Sequence, residues 1–289
     1  MADGARLLIT GASGTLGGPL SILAAHHGWD VYAGCYAHPE RVRAGEMRQI
    51  DLRDRFAVWR WVEEVQPTAI VHAAVTERSG PGFESAIRES ARNIAQAAKA
   101  GGTRLIALST DLVFDGTEDA YTEESPVRPI AGSTYGEAKA RAEDDVLTMY
   151  PGALVVRTSL IYDFHPQNAQ VAWMLRAIER GEPLRLFTDQ YRCPIWVWNL
   201  AAALLELATL DLGGGVLHVA GPAPVSRYML AMALLTALGV DPAPHVQTAS
   251  CPDTQAKRIM LSVDRARGLL HTPLMSLAQA RVAAREAGS

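Results

Sequence analysis

The chain has 289 residues, 48% of them apolar, and 27 Lys+Arg against 31 Asp+Glu give a formal charge of −4. This is the balance of an ordinary globular protein, and a slightly acidic chain without basic blocks lacks the phosphate-neutralising surface that a DNA or RNA partner needs. The most apolar stretches, Leu200 to Leu210 and Tyr228 to Val240, are interrupted by Glu206 and Thr236 and fall short of the roughly 20 residues that cross a bilayer, so no membrane partner is expected.

The opening Met-Ala-Asp-Gly-Ala-Arg runs straight into Leu7-Leu8-Ile9 without the longer apolar run of a secretory signal, and a cytoplasmic location is expected. Arg6 to Thr10 is the first predicted strand, followed by helix Thr15 to His27, strand Asp30 to Cys35 and helix Asp54 to Val65. Strand Ala69 to His72, helix Phe83 to Ala100 and strand Arg104 to Ser109 come next, with Gly101-Gly102 stopping the helix. Short aliphatic strands alternating with longer helical patterns predict repeated βαβ units, hence an α/β fold with a doubly wound parallel sheet.

Residues 111–134 are polar and carry Gly116, Pro126, Pro129 and Gly132, which reads as a long loop of the kind that usually serves function. Helix Tyr135 to Met149 and strand Ala153 to Arg157 follow. Beyond Ser159 the pattern loosens. It predicts a helix over Val171 to Glu179, short strands at Leu184 to Phe187 and Val216 to Ala220, and helices near Asn199 to Leu210, Ser226 to Leu238 and Ser276 to Glu286. Cys35, Cys193 and Cys251 show no CxxC spacing and read as reduced thiols. His26, His27 and His38 form no ligand grouping, so no metal is expected.

Directly after the first strand stands Gly11-Ala12-Ser13-Gly14-Thr15-Leu16-Gly17, a G-x-x-G-x-x-G spacing that opens a helix. Glycines let the backbone turn sharply and approach a pyrophosphate, while the helix N-terminus offers free N–H groups. With a strand before and a helix after, Gly11, Ser13, Gly14, Thr15, Leu16 and Gly17 are expected to hold a dinucleotide, making the sheet Rossmann-type. The second strand ends without a carboxylate, and Arg41 and Arg43 lie shortly after it. A ribose 2′-phosphate is therefore tolerable, which favours NADP over NAD with Arg41 as a contact; the bland alternative is that these arginines are merely solvated. Asp51 and Leu52 are placed to meet the adenine end, and Ala73 and Ala74 to border the cofactor. Residues 1–160, with 190–220 returning to them, are expected to form the cofactor-binding domain, and 161–189 with 221–289 a smaller α/β substrate-binding subdomain.

Tyr135 and Lys139 lie four residues apart, hence on one helix face. The ammonium favours the phenolate and moves a tyrosine from its reference value of about 10 toward one at which it exchanges protons. With 8 Tyr and only three lysines (Lys99, Lys139, Lys257) in the chain, chance yields about 0.08 such pairs, a usable false-positive rate for a motif. Ser109-Thr110-Asp111 closes the fourth predicted strand, where residues of an open α/β sheet face the ligand crevice. Thr110 can share a substrate oxygen with Tyr135, although the three residues also suit a local turn.

These motifs resemble the extended short-chain dehydrogenase/reductase superfamily and, within it, the dTDP-4-dehydrorhamnose reductase family. The match is carried by the glycine loop, Ile70-Val71-His72-Ala73-Ala74, Ser109-Thr110-Asp111-Leu112-Val113-Phe114-Asp115-Gly116 and Tyr135-Gly136-x-x-Lys139. Val156-Arg157-Thr158-Ser159, Asp189-Gln190 with Pro194, and His218-Val219-Ala220-Gly221-Pro222 extend it. The resemblance implies hydride transfer from NADPH to the C4 ketone of a nucleotide-linked 4-keto-6-deoxy sugar. Tyr135 would protonate the oxygen and also contact the cofactor, Lys139 would hold the nicotinamide ribose beside Ser109, and Thr110 would orient the carbonyl. Asp111, Leu160, Asp189, Gln190 and Arg192 would lie near the sugar nucleotide, and a homodimer is the family-level expectation. Leu112, Leu160 and the segment Gln255 to Arg258 depart from the family pattern, which puts the identity of the sugar in question. The chain also resembles the regulatory subunit of methionine adenosyltransferase, implying a cofactor-binding subunit without turnover as the alternative. A nucleotide-sugar epimerase or dehydratase is a third reading, but a dehydratase calls for a glutamate where Leu112 stands.

Overall fold

Seven parallel strands make the central sheet of the computed structural model, which describes residues 4–75 and 82–287. Six of them are β1 (Arg6–Thr10), β2 (Asp30–Cys35), β3 (Glu46–Gln49), β4 (Ala69–His72), β5 (Arg104–Thr110) and β6 (Leu154–Thr158); Gly215–His218 is the seventh. Their spatial order is Gly215–His218, β6, β5, β4, β1, β2, β3. The direction of winding reverses between β1 and β4, and in such sheets the ligand crevice opens at the C-terminal strand ends there.

All four residues of β4 are buried, as expected of a sheet covered on both faces. Alternate strand residues point to opposite faces. Leu7, Ile9 and Val71 join a core with α1 (Gly17–His26), while Leu8, Ile70 and Leu105 face α2 (Arg55–Val65), α3 (Phe83–Ala100) and α4 (Thr134–Met149). Asp54 caps α2 by accepting from the N–H groups of Phe56 and Ala57 at 2.9 and 3.0 Å, satisfying two donors of the first turn.

Beyond β6 come α5 (Ala169–Glu179), α6 (Val197–Thr209) and α7 (Arg227–Ala237). α6 lies on the sheet beside α1. Three small two-stranded pairs flank them: Ile161–Tyr162 with Ile195–Trp196, Leu184–Phe187 with Val246–Ala249, and Tyr191–Arg192 antiparallel to Val225–Ser226.

Most predicted elements appear at or within two residues of their expected bounds. Helix α1 begins at Gly17 rather than Thr15, because the glycine turn uses Thr15 and Leu16, and the strand expected to reach Ala220 ends at His218. Not expected were β3, the strand Val246–Ala249, the two-residue strands and a short helix at Asp264–Leu269. β3 is an edge strand of Glu46, Met47, Arg48 and Gln49, none of them buried, so it carries no apolar alternation. The loop 111–134 is anchored rather than loose. Asp111–Val113 forms a 3-10 turn, Phe114 stacks on Tyr121 at 4.1 Å, and the Tyr121 N–H donates to Met260 O at 2.7 Å.

Among the described residues no helix is long and apolar enough to cross a membrane. The three cysteines are free and buried.

Candidate active site

The glycine turn packs against the end of β4. Gly11 has a φ of +72°, and a Cβ there would stand 2.7 Å from Ala74 Cα, so only glycine suits both the left-handed backbone and the close approach. A Cβ on Gly17 would stand 2.3 Å from the Gly11 carbonyl oxygen. The Gly14 N–H donates to that oxygen at 2.9 Å. Ser13 Oγ donates to Ala37 O at 2.9 Å, tying the turn to the chain after β2. Thr15 is exposed, whereas Leu16 is buried in the core. The first turn of α1 holds no acidic residue, leaving its positive dipole end available to a pyrophosphate. These are the features a dinucleotide requires.

Ala73 and Ala74 border this turn. Their N–H groups donate to Thr10 O and Thr10 Oγ1, each at 3.3 Å, and Thr10 Oγ1 also shares a 2.8 Å hydrogen bond with His72 Nδ1. Burial, with the nearby Lys139 charge adding to it, pushes His72 down to about 3, so the imidazole is neutral.

On the other side of the crevice α4 is capped by Ser133, whose Oγ accepts from the Gly136 N–H at 3.3 Å. A Cβ on Gly136 would stand 2.3 Å from the Leu112 carbonyl oxygen. The glycine thus lets the first turn of α4 lie directly on the turn that follows Thr110, bringing Tyr135 to the C-terminal end of β5. One helical turn later the buried Lys139 donates from Nζ to Leu108 O at 2.6 Å. Thr110 Oγ1 accepts from the Leu112 N–H at 3.2 Å and donates to Asp111 Oδ1 at 3.3 Å. Among the described residues the buried Ser109 Oγ has no hydrogen-bond partner, which is costly unless a bound molecule satisfies it.

Asp111 is buried. Its Oδ2 accepts from Ser159 Oγ at 2.6 Å and faces Arg192 Nε at 3.8 Å. Burial pushes the Asp111 carboxyl above the usual range, while Arg192 and the hydroxyls of Ser159 and Thr110 oppose that rise. Arg192 also donates to the carbonyls of Tyr191 (2.7 Å) and Ala256 (2.8 Å). Asp189 accepts from the Cys251 N–H at 2.7 Å, and Gln190 Nε2 donates to Gln255 Oε1 at 3.0 Å and to Cys251 Sγ at 3.2 Å. These three side chains therefore staple the segment 251–257 in place. Leu160 is half-buried against the core, and its carbonyl accepts from the Ile195 N–H at 2.8 Å.

Two other expected cofactor contacts have local partners. Arg41 is exposed and lies 3.7 Å from Glu40. The Asp51 carboxylate is taken by Arg53, at 2.6 Å from Nη2, and that guanidinium lies over the Tyr36 ring at 5.7 Å. Leu52 accepts from Asn93 Nδ2 at 2.9 Å through its carbonyl. Gly136, His72 and Ser159 take their roles from contacts with Leu112, Thr10 and Asp111 that no local spacing reveals.

A glycine turn at the switch point of a parallel sheet, faced by a Tyr–Lys helix turn, defines a dinucleotide-binding protein of the short-chain dehydrogenase/reductase kind. The pattern of the family described as RmlD substrate binding domain matches residues 5–286, and the chain belongs to that family. It is 33% identical over 246 residues to a dTDP-4-dehydrorhamnose reductase of Mycobacterium tuberculosis, covering 82% of this chain and 77% of that protein. The methionine adenosyltransferase 2 subunit beta of Rattus norvegicus is 31% identical over 255 residues, covering 84% and 74%. The crystal structure of a dTDP-4-dehydrorhamnose reductase from Bacillus anthracis in complex with NADP superposes with a TM-score of 0.79 at 25% identity, covering 99% of this chain and 98% of that one.

Proposed function

We propose that the chain is an NADP-dependent reductase acting on the C4 ketone of a nucleotide-linked 4-keto-6-deoxy sugar. The observation that carries this is the first turn of α4, with Tyr135 and Lys139, held on the end of β5 by the fit of Gly136 against Leu112 O and the bond from Lys139 to Leu108 O, next to Thr110. NADPH, when bound, supplies the hydride. Gly11, Ser13, Gly14, Thr15, Leu16 and Gly17 would hold its pyrophosphate, with Arg41, Asp51 and Leu52 toward the adenosine end and Ser109 and Lys139 toward the nicotinamide ribose. Tyr135 would donate the proton to the ketone oxygen, and Thr110 would hold that oxygen by a hydrogen bond.

In this reading residues 1–160 with 190–220 bind the cofactor, supported by Gly215–His218 completing the sheet, and 161–189 with 221–289 bind the substrate. A reducing cytoplasmic setting is supported by the three buried free thiols. A homodimer belongs to the same reading and is tested by sedimentation.

The deciding test follows NADPH absorbance with a panel of nucleotide-linked 4-keto sugars, for the natural chain and Tyr135→Phe. The natural chain is expected to oxidise NADPH and the variant to lose about 10²- to 10⁴-fold in rate, the usual worth of a general acid, while still binding NADPH. NADPH binding without oxidation by any sugar would overturn the reductase reading. It would favour a non-catalytic subunit, which the similarity to methionine adenosyltransferase 2 subunit beta makes the second reading.

A further inference from the structure

Lys139 has a carboxylate one helical turn further along α4. Tyr135, Lys139 and Glu143 follow one another at four-residue spacing, and side chains four apart on a helix are neighbours. Lys139 and Glu143 are both buried, where opposite charges attract far more strongly than in water. Left to itself, Glu143 would draw the ammonium along the helix, away from the end of β5. It would also cancel the positive charge that favours the Tyr135 phenolate.

The Glu143 carboxylate is held elsewhere. Arg157, on β6, donates from Nε to Oε1 and Oε2, each at 3.1 Å, and from Nη2 to Oε2 at 2.7 Å. The two side chains are 4% and 6% exposed, so both oxygens are taken by a charge-assisted fork closed to water. Arg157 is fixed from other directions too. It pairs with Ser109 across the β5–β6 ladder and with His218 across the next one, and its guanidinium carbon lies 5.1 Å from the centre of the Phe114 ring. With Glu143 occupied, Lys139 turns to β5, where Nζ donates to Leu108 O at 2.6 Å. The other titratable groups beside these charges are His72 on β4 and His218. Burial holds them down to about 3 and about 4, so both are neutral near pH 7.

We propose that Arg157 is a positioning residue for Lys139: it withholds the Glu143 carboxylate, so that the ammonium stays with β5, Tyr135 and the cofactor. This assignment rests on the Tyr135–Lys139 reading above and adds the residue that keeps the lysine charge directed at the site. It predicts that losing the arginine harms the site only while the carboxylate is present.

Arg157→Met, Glu143→Gln and the double variant test it, by titration with NADPH and by the pH profile of kcat/KM for NADPH oxidation, at a temperature where all are folded. Arg157→Met is expected to weaken NADPH binding about tenfold, the worth of a charge-assisted hydrogen bond. The alkaline limb of its profile should move up by about one pH unit, because the carboxylate then offsets the charge beside Tyr135. Glu143→Gln, which keeps an acceptor for Arg157, should do neither, and adding it to Arg157→Met should restore both. A pair that only fastens α4 to the sheet would lose function from either side and gain nothing from the second substitution. An impaired Glu143→Gln, or a double variant no better than Arg157→Met, therefore overturns the assignment. If Arg157→Met does not fold, Arg157→Lys takes its place, since an ammonium lacks the fork that occupies both oxygens, and the same rescue by Glu143→Gln is required. If the natural chain binds NADPH but reduces no sugar, the reductase reading falls, while the NADPH affinities of the variants still decide this assignment.

Discussion

The Lys139 ammonium donates to the Leu108 carbonyl oxygen at 2.6 Å from a side chain that is only 6% exposed. The bond fixes α4 to β5 one residue before Ser109, so Lys139 is held by the strand whose end carries Thr110. In a chain that uses arginine for 24 of its 27 basic residues, a compact ammonium stands where a planar five-donor fork would fit poorly. Lys139→Met leaves a buried carbonyl without its donor, at a cost of about 1–3 kcal/mol. Lys139→Arg retains the charge but overfills the space. Both variants are expected to unfold at lower temperature and to lose NADPH oxidation; thermal melts and steady-state rates check this, and a fully active Lys139→Arg would contradict it.

Gly136→Ala separates packing from propensity. Alanine is the better helix former by roughly 0.5–1 kcal/mol, so on propensity alone the variant should be more stable. Its Cβ would instead stand 2.3 Å from Leu112 O and 2.9 Å from Ser133 Oγ, forcing the first turn of α4 away from β5. Overpacking of this kind costs about 1–3 kcal/mol, so a net loss of stability is expected. The rate should fall further than NADPH affinity, because Tyr135 moves while the glycine turn does not. Denaturant midpoints measured with kcat and cofactor Kd decide the matter.

Asp111 and Arg192 form an ion pair whose side chains are 6% and 7% exposed. Removing one partner of a buried pair strands the other charge, at about 3–5 kcal/mol. Asp111→Asn and Arg192→Met are each expected to destabilise within that range, and the double variant by clearly less than their sum. Denaturant unfolding of the four proteins gives the coupling; strict additivity would show that the 3.8 Å approach carries no energy.

The parts legible in the sequence are those written in local spacing. β1 and β4 are largely buried aliphatic runs, the glycine turn follows a strand, and Tyr135 and Lys139 are one helical turn apart, so each declares itself within a few residues. β3 does not, because an edge strand with an exposed face has no core pattern to display. The long-range parts of the site were equally silent. Asp111 finds its charge partner 81 positions later, at Arg192. Gly136 is explained by a carbonyl in another segment. The resemblance places Asp189, Gln190 and Arg192 near the substrate, and their hydrogen bonds to the segment 251–257 are long-range contacts that no local spacing reveals.

His72 links the cofactor crevice to acid sensitivity. Burial, and then the Lys139 charge, hold its imidazole down to about 3 against about 6.5 in an unfolded chain. Between those values the unfolded chain takes up a proton that the native site refuses, so stability is full above pH 6.5 and declines as pH falls toward 3. His218, held down to about 4 by burial first, acts with the same sign. His72→Asn can keep a hydrogen bond to Thr10 and cannot titrate. The variant is expected to be less stable than the natural chain at pH 7.5 but to lose less stability between pH 6.5 and 4.5. Melting temperatures across that interval give the two slopes, and parallel slopes would mean that His72 is not a source of the acid sensitivity.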